Sequence, residues 1–246
     1  MSSASRILIS LATYNERENL PTLAAQIFEF APDADILVVD DSSPDGTADW
    51  VEEQMQNDAR FKLLKRTGKL GLGSAVLTAM DYAVQYNYDY LLNMDADLSH
   101  PPRYLLAIRA KAEEGFDVVI GSRYVPGGNI EGWSLTRRWM SWAINIYARW
   151  LLGLKTRDNS GSYRCYRVTL LRQLEPQSIL SQGYSFFEEI LYRLRELGAT
   201  FTEVPITFEE RRKGQSKLNM KEIFVALWVL LRIRMCIAWK ASTTAK

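Results

Sequence analysis

Asp95-Ala96-Asp97 follows directly on the apolar run Tyr90 to Met94. Two carboxylates one residue apart at a strand end can converge on a hard cation, and such a cation commonly also holds substrate phosphates. That would neutralise a diphosphate leaving group. The plainer alternative has Asp95 capping a turn and Asp97 solvated, as happens often for aspartates in loops. A second acidic cluster, Asp40-Asp41-Ser42-Ser43-Pro44-Asp45-Gly46-Thr47, also follows an apolar run. Its carboxylates can accept hydrogen bonds from a base or from ribose hydroxyls, and Pro44-Asp45-Gly46 is turn chemistry. In Ala12-Thr13-Tyr14-Asn15-Glu16, Tyr14 offers a ring for a base and Glu16 an acceptor for ribose. Lys69-Leu70-Gly71-Leu72-Gly73-Ser74 reads as a Gly-rich helix entry, since it lacks the P-loop lysine pattern and the full dinucleotide fingerprint.

These groups can act together only if the chain carries them to one place. Short β-branched or apolar runs at Ile7 to Leu11, Ile36 to Asp40, Phe61 to Leu64, Tyr90 to Met94 and Val118 to Gly121 predict strands. Helical spacing fills Arg17 to Phe30, Thr47 to Gln56, Ser74 to Tyr86 and Arg103 to Glu114 between them. The alternation predicts an α/β fold, a mostly parallel twisted sheet with helices on both faces. In such a sheet ligands bind outside the carboxyl ends of the strands, where all three polar clusters fall.

After Tyr124 the alternation stops at a loop, Pro126-Gly127-Gly128-Asn129. Residues 1–246 are expected to form one domain, with a nucleotide-binding half (1–124) and an acceptor and membrane-facing half (125–246). Trp133 to Leu154 predicts a Trp-rich amphipathic helix, either a core element or a surface that meets lipid. Ser162 to Arg167, Phe186 to Leu197 and Thr202 to Phe208 read as strand, helix and strand. The longest clean apolar run of Ile223 to Trp239 is about half the ~20 residues that a membrane crossing needs. That segment is either a packing helix or an interfacial one.

The 30 basic and 29 acidic residues nearly cancel, which argues against a nucleic-acid partner. Cys165 and Cys236 are too few for a disulfide framework, and Met1 to Ser10 has no secretory h-region. A cytoplasmic setting is expected.

Taken in order, Leu11 to Glu16, Val38-Val39-Asp40-Asp41 with Asp45-Gly46-Thr47, and Asp95-Ala96-Asp97-Leu98-Ser99-His100-Pro101 resemble the motifs of dolichol-phosphate mannose synthases. The likeness continues through Gly121-Ser122-Arg123-Tyr124, Gly161-Ser162-Tyr163-Arg164, Glu203-Val204-Pro205-Ile206 and Gly214-Gln215-Ser216-Lys217-Leu218. It spans Ile7 to about Phe224. The family consists of inverting glycosyltransferases with the GT-A fold.

By this resemblance Ala12, Tyr14, Glu16, Val39 and Asp41 line the nucleoside pocket with Asp40 beside it, and Ala96 approaches the nucleotide through its backbone. Ala12 replaces a proline frequent in the family. Asp95 and Asp97 bind Mg²⁺ or Mn²⁺, and Ser99 stands at a third metal-site position. Arg123, Arg211 and Lys217 contact phosphates, with Asp97, Arg123 and Arg211 carrying catalysis; Arg137 or Arg138 meets the lipid phosphate. Guanidinium forks suit phosphate oxygens. His100 is expected to fix its loop. Glu188 and Glu189 open a helix whose positive end favours them.

The implied reaction moves mannose from GDP-mannose to a dolichyl or polyprenyl phosphate with inversion. Glucosyl transfer from UDP-glucose to the same lipid class is one alternative, and a non-catalytic nucleotide-sugar-binding subunit is another. The joint presence of Asp95, Asp97, Arg123, Arg211 and Lys217 argues against the last. The chain is expected at the cytoplasmic face of a membrane, held by its own amphipathic segments or by a separate membrane subunit.

Overall fold

The computed structural model describes residues 5–181, 183, 185–210 and 227–235. Its first part alternates β1 (Ile7–Thr13), α1 (Leu20–Phe30), β2 (Asp35–Asp40), α2 (Thr47–Asn57), β3 (Phe61–Lys65), α3 (Leu72–Gln85) and β4 (Tyr90–Asp95). Next come α4 (Leu105–Glu113), β5 (Val118–Ser122), the short β6 (Asn129–Ile130) and the long α5 (Leu135–Leu152). After them follow β7 (Arg164–Arg167), α6 (Val168–Leu171), α7 (Phe186–Glu196), β8 (Phe201–Pro205) and β9 (Thr207–Phe208).

Seven strands form one sheet in the order β3-β2-β1-β4-β7-β5-β8. Every pairing is parallel except those of β7, which runs antiparallel to both β4 and β5. Burial on both faces explains why the strands read as continuous apolar runs. In β1, Leu8 packs into one core with Leu37, Leu91 and the α3 residues Ala75, Val76 and Ala79. Its neighbours Ile7, Ile9 and Leu11 join the opposite core with Leu23 and Ile27 of α1 and Leu105 and Ile108 of α4. This two-residue alternation is what fixes the register.

Two sequence expectations need adjusting. The predicted strand Thr202 to Phe208 divides: Pro205 ends β8, and β9 pairs instead with β6 in a separate two-stranded parallel sheet. Ile206 lies at the changeover, its N–H donating to the Ser122 carbonyl at 3.0 Å and its carbonyl accepting from Asn129 at 2.9 Å. Part of the expected loop is thereby recruited as β6.

Helix α5 starts at Ser134, whose hydroxyl accepts the Arg137 N–H, and stops at Gly153 with φ +64°, the left-handed position a glycine accepts without strain. It buries Asn145, Ala148 and Leu152 and leaves Leu135, Trp139, Trp142, Ile146 and Trp150 exposed. A helical stretch over 227–235 buries Leu230 and Ile233 in the α3-side core and exposes Trp228 and Met235. The remainder of the expected helix Ile223 to Trp239 lies outside the described residues. Among those described, no helix is long and apolar enough to cross a membrane.

Candidate active site

The register of the central strands brings the polar clusters together. Ala12 lies opposite Val39 on one side and Asp95 on the other, and Thr13 is opposite Asp40. The carboxyl ends of β2, β1 and β4 therefore form one ledge.

Asp40, almost fully buried, organises that ledge. It accepts the Thr13 hydroxyl at 2.8 Å, the Ser43 hydroxyl at 2.6 Å and the Ser43 N–H at 2.9 Å. The loop after β2 then holds the loop after β1. Ser43 accepts the Asn15 N–H at 2.9 Å, Thr47 that of Glu16 at 3.1 Å, and Asp45 that of Arg17 at 3.0 Å. Asn15, Ser42 and Leu98 all have positive φ (64°, 55° and 66°), and each follows one of the three strands at the ledge. Such left-handed conformations are costly for non-glycine residues and persist where surrounding contacts over-determine them.

Asp41 forms an ion pair with Arg66 and accepts the Gly71 N–H at 3.2 Å. Arg66 also donates to the Gly71 carbonyl at 3.0 Å and to Ser74, so it ties the Gly-rich entry of α3 to the ledge. Tyr14 is exposed, with the Lys69 ammonium 4.0 Å from its ring centroid. Glu16 accepts the Asn19 amide at 2.6 Å. The Val39 side chain packs in the core, which leaves only its backbone for a ligand.

At the end of β4, Asp95 Oδ1 accepts the Ser162 hydroxyl at 2.6 Å, and Asp97 Oδ1 accepts the Ser99 N–H at 3.1 Å together with the Ser99 hydroxyl. Both carboxylates are partly exposed, while Ala96 between them is buried. His100 Nδ1 accepts the Asp95 backbone N–H at 3.1 Å, and its ring stacks on Tyr163 with centroids 4.9 Å apart. Burial pushes the His100 pKa down, consistent with a neutral ring protonated at Nε2 that fixes the loop.

The donor set fits a hard divalent cation. Two partly solvated carboxylates occupy one turn, and each accepts a hydrogen bond from a hydroxyl that orients it. Ser99, expected at a third metal position, directs its hydroxyl to Asp97.

Arg123 follows β5 and is buried. Its Nε and one terminal nitrogen grip Asp158 at 2.7 Å each, its own N–H adds a third bond at 3.0 Å, and Ser160 accepts at 3.0 Å. Burial opposes both charges, yet the mutual attraction outweighs it, raising the Arg123 pKa and lowering that of Asp158. Gly161 donates to Asp158 at 3.0 Å, and a Cβ there would lie only 3.1 Å from that carboxylate.

Arg138 lines a cavity of about 380 Å³ with Arg123, Tyr124, Trp139 and Trp142, and donates to the Ile130 carbonyl. Arg137 packs its guanidinium 3.8 Å from the Trp133 ring centroid, with Glu210 at 3.9 Å. Arg211 and Lys217 lie outside the described residues. At the start of α7, Glu189 accepts the N–H groups of Leu180 and Ser181 and pairs with Arg193 at 3.0 Å. Glu188 is buried with Oε2 unpartnered among the described residues, and burial pushes its pKa up to about 7.

Arg66, Asp158 and Ser162 escaped the sequence reading as site residues. Asp158-Asn159-Ser160-Gly161 carries a turn signature that could have pointed to a loop, though not to its arginine partner.

One reversed strand within a parallel sheet, with the Asp95-Ala96-Asp97 turn at the end of β4, matches the GT-A-like fold of glycosyltransferases. Residues 9–175 match the family Glycosyl transferase family 2, to which the chain belongs. It is 42% identical over 214 residues to undecaprenyl-phosphate mannosyltransferase of Micrococcus luteus, covering 87% of this chain and 88% of the relative. Polyprenol monophosphomannose synthase of Mycolicibacterium smegmatis is 40% identical over 224 residues, 91% of this chain and 84% of the relative. Among solved structures, glucosyl-3-phosphoglycerate synthase of Mycobacterium tuberculosis, in complex with Mn²⁺, uridine diphosphate and glucosyl-3-phosphoglycerate, superposes with a TM-score of 0.67. The identity is 16%, with 94% of this chain and 80% of that one covered. A mannosyltransferase of Pyrobaculum calidifontis in complex with GDP-mannose and Mn²⁺ gives a TM-score of 0.56 at 17% identity, covering 100% of this chain and 77% of that one.

Proposed function

We propose that this chain transfers mannose from GDP-mannose to a polyprenyl phosphate, with inversion at the anomeric carbon. The observation that carries the reading is the Asp95/Asp97 pair on a ledge shared with Ala12 and Asp40, in a chain over 40% identical to an undecaprenyl-phosphate mannosyltransferase. The nucleoside lies along Ala12, Tyr14, Glu16, Val39 and Asp41, with Asp40 holding the loop beneath it. Asp95 and Asp97 would hold Mg²⁺ or Mn²⁺, which neutralises charge on the departing diphosphate when bound. Ser99 orients Asp97.

An acceptor phosphate oxygen attacks the anomeric carbon as the bond to the nucleoside diphosphate breaks on the opposite side. The second pKa of a phosphate monoester is near ~6, so the nucleophile is already ionised at neutral pH and needs no strong base. Catalysis rests on alignment and charge neutralisation. Arg123, Arg211 and Lys217 contact the donor phosphates, and Arg137 or Arg138 receives the lipid phosphate. The exposed Trp face of α5 meets the cytoplasmic side of a membrane, with or without a membrane subunit.

The test is incubation of the purified chain with labelled GDP-mannose or UDP-glucose, Mg²⁺ or Mn²⁺, and a short polyprenyl phosphate. Label should reach the lipid from GDP-mannose only in the presence of metal. Transfer from UDP-glucose alone would replace mannose by glucose, and transfer from neither would leave a binding subunit.

A further inference from the structure

Three cavities line up along one flank of α5. The first contains Arg138 and belongs to the site above. The second, about 260 Å³, shares Tyr124 and Trp142 with it and adds Asn145, Ile146, Arg149 and Arg157. The third, about 270 Å³, shares Ile146 and Arg149 and adds Trp150 and Leu154.

Arg149 and Arg157 are what set the second cavity apart. Neither guanidinium has an ion pair or hydrogen bond among the described residues, and Arg149 Nε is buried without an acceptor. Other cations of the chain are paired, as Arg60 is with Asp58 and Arg109 with Asp33. The carboxylate of Glu203 is committed elsewhere, its two oxygens accepting the backbone N–H groups of Arg157 at 2.8 Å and Asp158 at 3.0 Å. Arg157 is exposed, whereas the desolvated Arg149 Nε lacks a partner, which is costly, and an anion entering the cavity would supply one.

The rim indicates which anion. Leu135, Trp139, Trp142, Ile146 and Trp150 recur every three or four residues and form one exposed stripe about 22 Å long. Trp150 is 79% exposed and Trp139 66%. Tryptophan rings favour the boundary between lipid chains and water, and a cation just behind them meets the headgroup phosphate. We propose that Arg149 and Arg157 form a subsite for the phosphate of an anionic membrane phospholipid, separate from the acceptor phosphate. The inference rests on α5 facing a membrane and is independent of the sugar transferred.

The test uses the full chain with vesicles of phosphatidylcholine alone or with added phosphatidylglycerol, read by co-sedimentation. The wild type should prefer the anionic vesicles, and the double variant Arg149→Gln, Arg157→Gln should lose roughly 30-fold in affinity for them. A surface control, Lys62→Gln with Lys111→Gln, should bind as the wild type does. Turnover of a short acceptor in detergent should be unchanged in the Arg149, Arg157 variant, which also shows that it folds. Undiminished binding by that variant overturns the proposal. So does a matching loss of detergent turnover, which would move the pair into the acceptor site. Release of bound wild type by millimolar inorganic phosphate, or tighter binding to polyglutamate than to the vesicles, also overturns it.

Discussion

Asp158 holds Arg123 by both carboxylate oxygens, and a third bond from the Arg123 backbone N–H closes the grip. The pair joins the end of β5 to the turn before β7, so the candidate phosphate-side arginine is oriented by a residue 35 positions away. Asp158→Ala would leave a buried guanidinium unpaired, a loss of about 3–5 kcal/mol. Urea unfolding should show it; an unchanged midpoint would mean that the pair contributes nothing to the fold. Because the Asp158 pKa is lowered from 3.8, its contribution is present above that value and lost as the pH falls through the lower folded-state value.

Glu188 predicts the opposite pH response. Its pKa rises to about 7 from 4.5, so the native state holds a proton that the unfolded chain has released. Stability should therefore fall as the pH climbs from 4.5 through 7. Glu188→Gln should stabilise at pH 8, on the order of 3 kcal/mol, with little gain at pH 4. Equal effects at both values would remove Glu188 from the account.

Asp97→Asn keeps an acceptor for the Ser99 hydroxyl and N–H but removes the charge. Transfer should drop by at least about 100-fold, with the unfolding free energy changed by no more than about 0.5 kcal/mol. Full turnover in the presence of metal would contradict the cation assignment.

Ser99→Ala tests whether that hydroxyl orients Asp97. Apparent Mn²⁺ affinity should weaken by roughly 10-fold or more, as when a group that orients a metal ligand is removed, and kcat at saturating metal should largely recover. A kcat loss that no metal concentration restores would point to direct contact with the reacting groups.

The outline of the fold was legible because its signals are local. Strands β1, β2 and β4 announce themselves as apolar runs, and the polar residues ending each run must share an edge once the strands are parallel. The pairings that set the site are not local. Asp41 with Arg66, Arg123 with Asp158, and Asp95 with Ser162 link residues 25 to 67 positions apart. No periodicity reports such contacts. The β6–β9 ribbon was hidden for a different reason: two residues per strand are too few for an alternating pattern, and Gly127 and Gly128 advertise a turn. The even choice between core helix and lipid surface for α5 needed the burial of Asn145, Ala148 and Leu152, which orients the helix.

Strand β7 has a further consequence for how the chain can be divided. It is drawn from residues 164–167, yet it is wedged between β4 and β5, which do not touch as neighbours. A fragment ending at Tyr124 would carry the ledge of β2, β1 and β4 with an open seam between β4 and β5, and β5 and its following arginine would have nothing to lean on. Ser162, which secures Asp95, would be missing too. Residues 1–124 and the part of the chain that follows are thus not separable modules: the later part supplies the keystone of the earlier one.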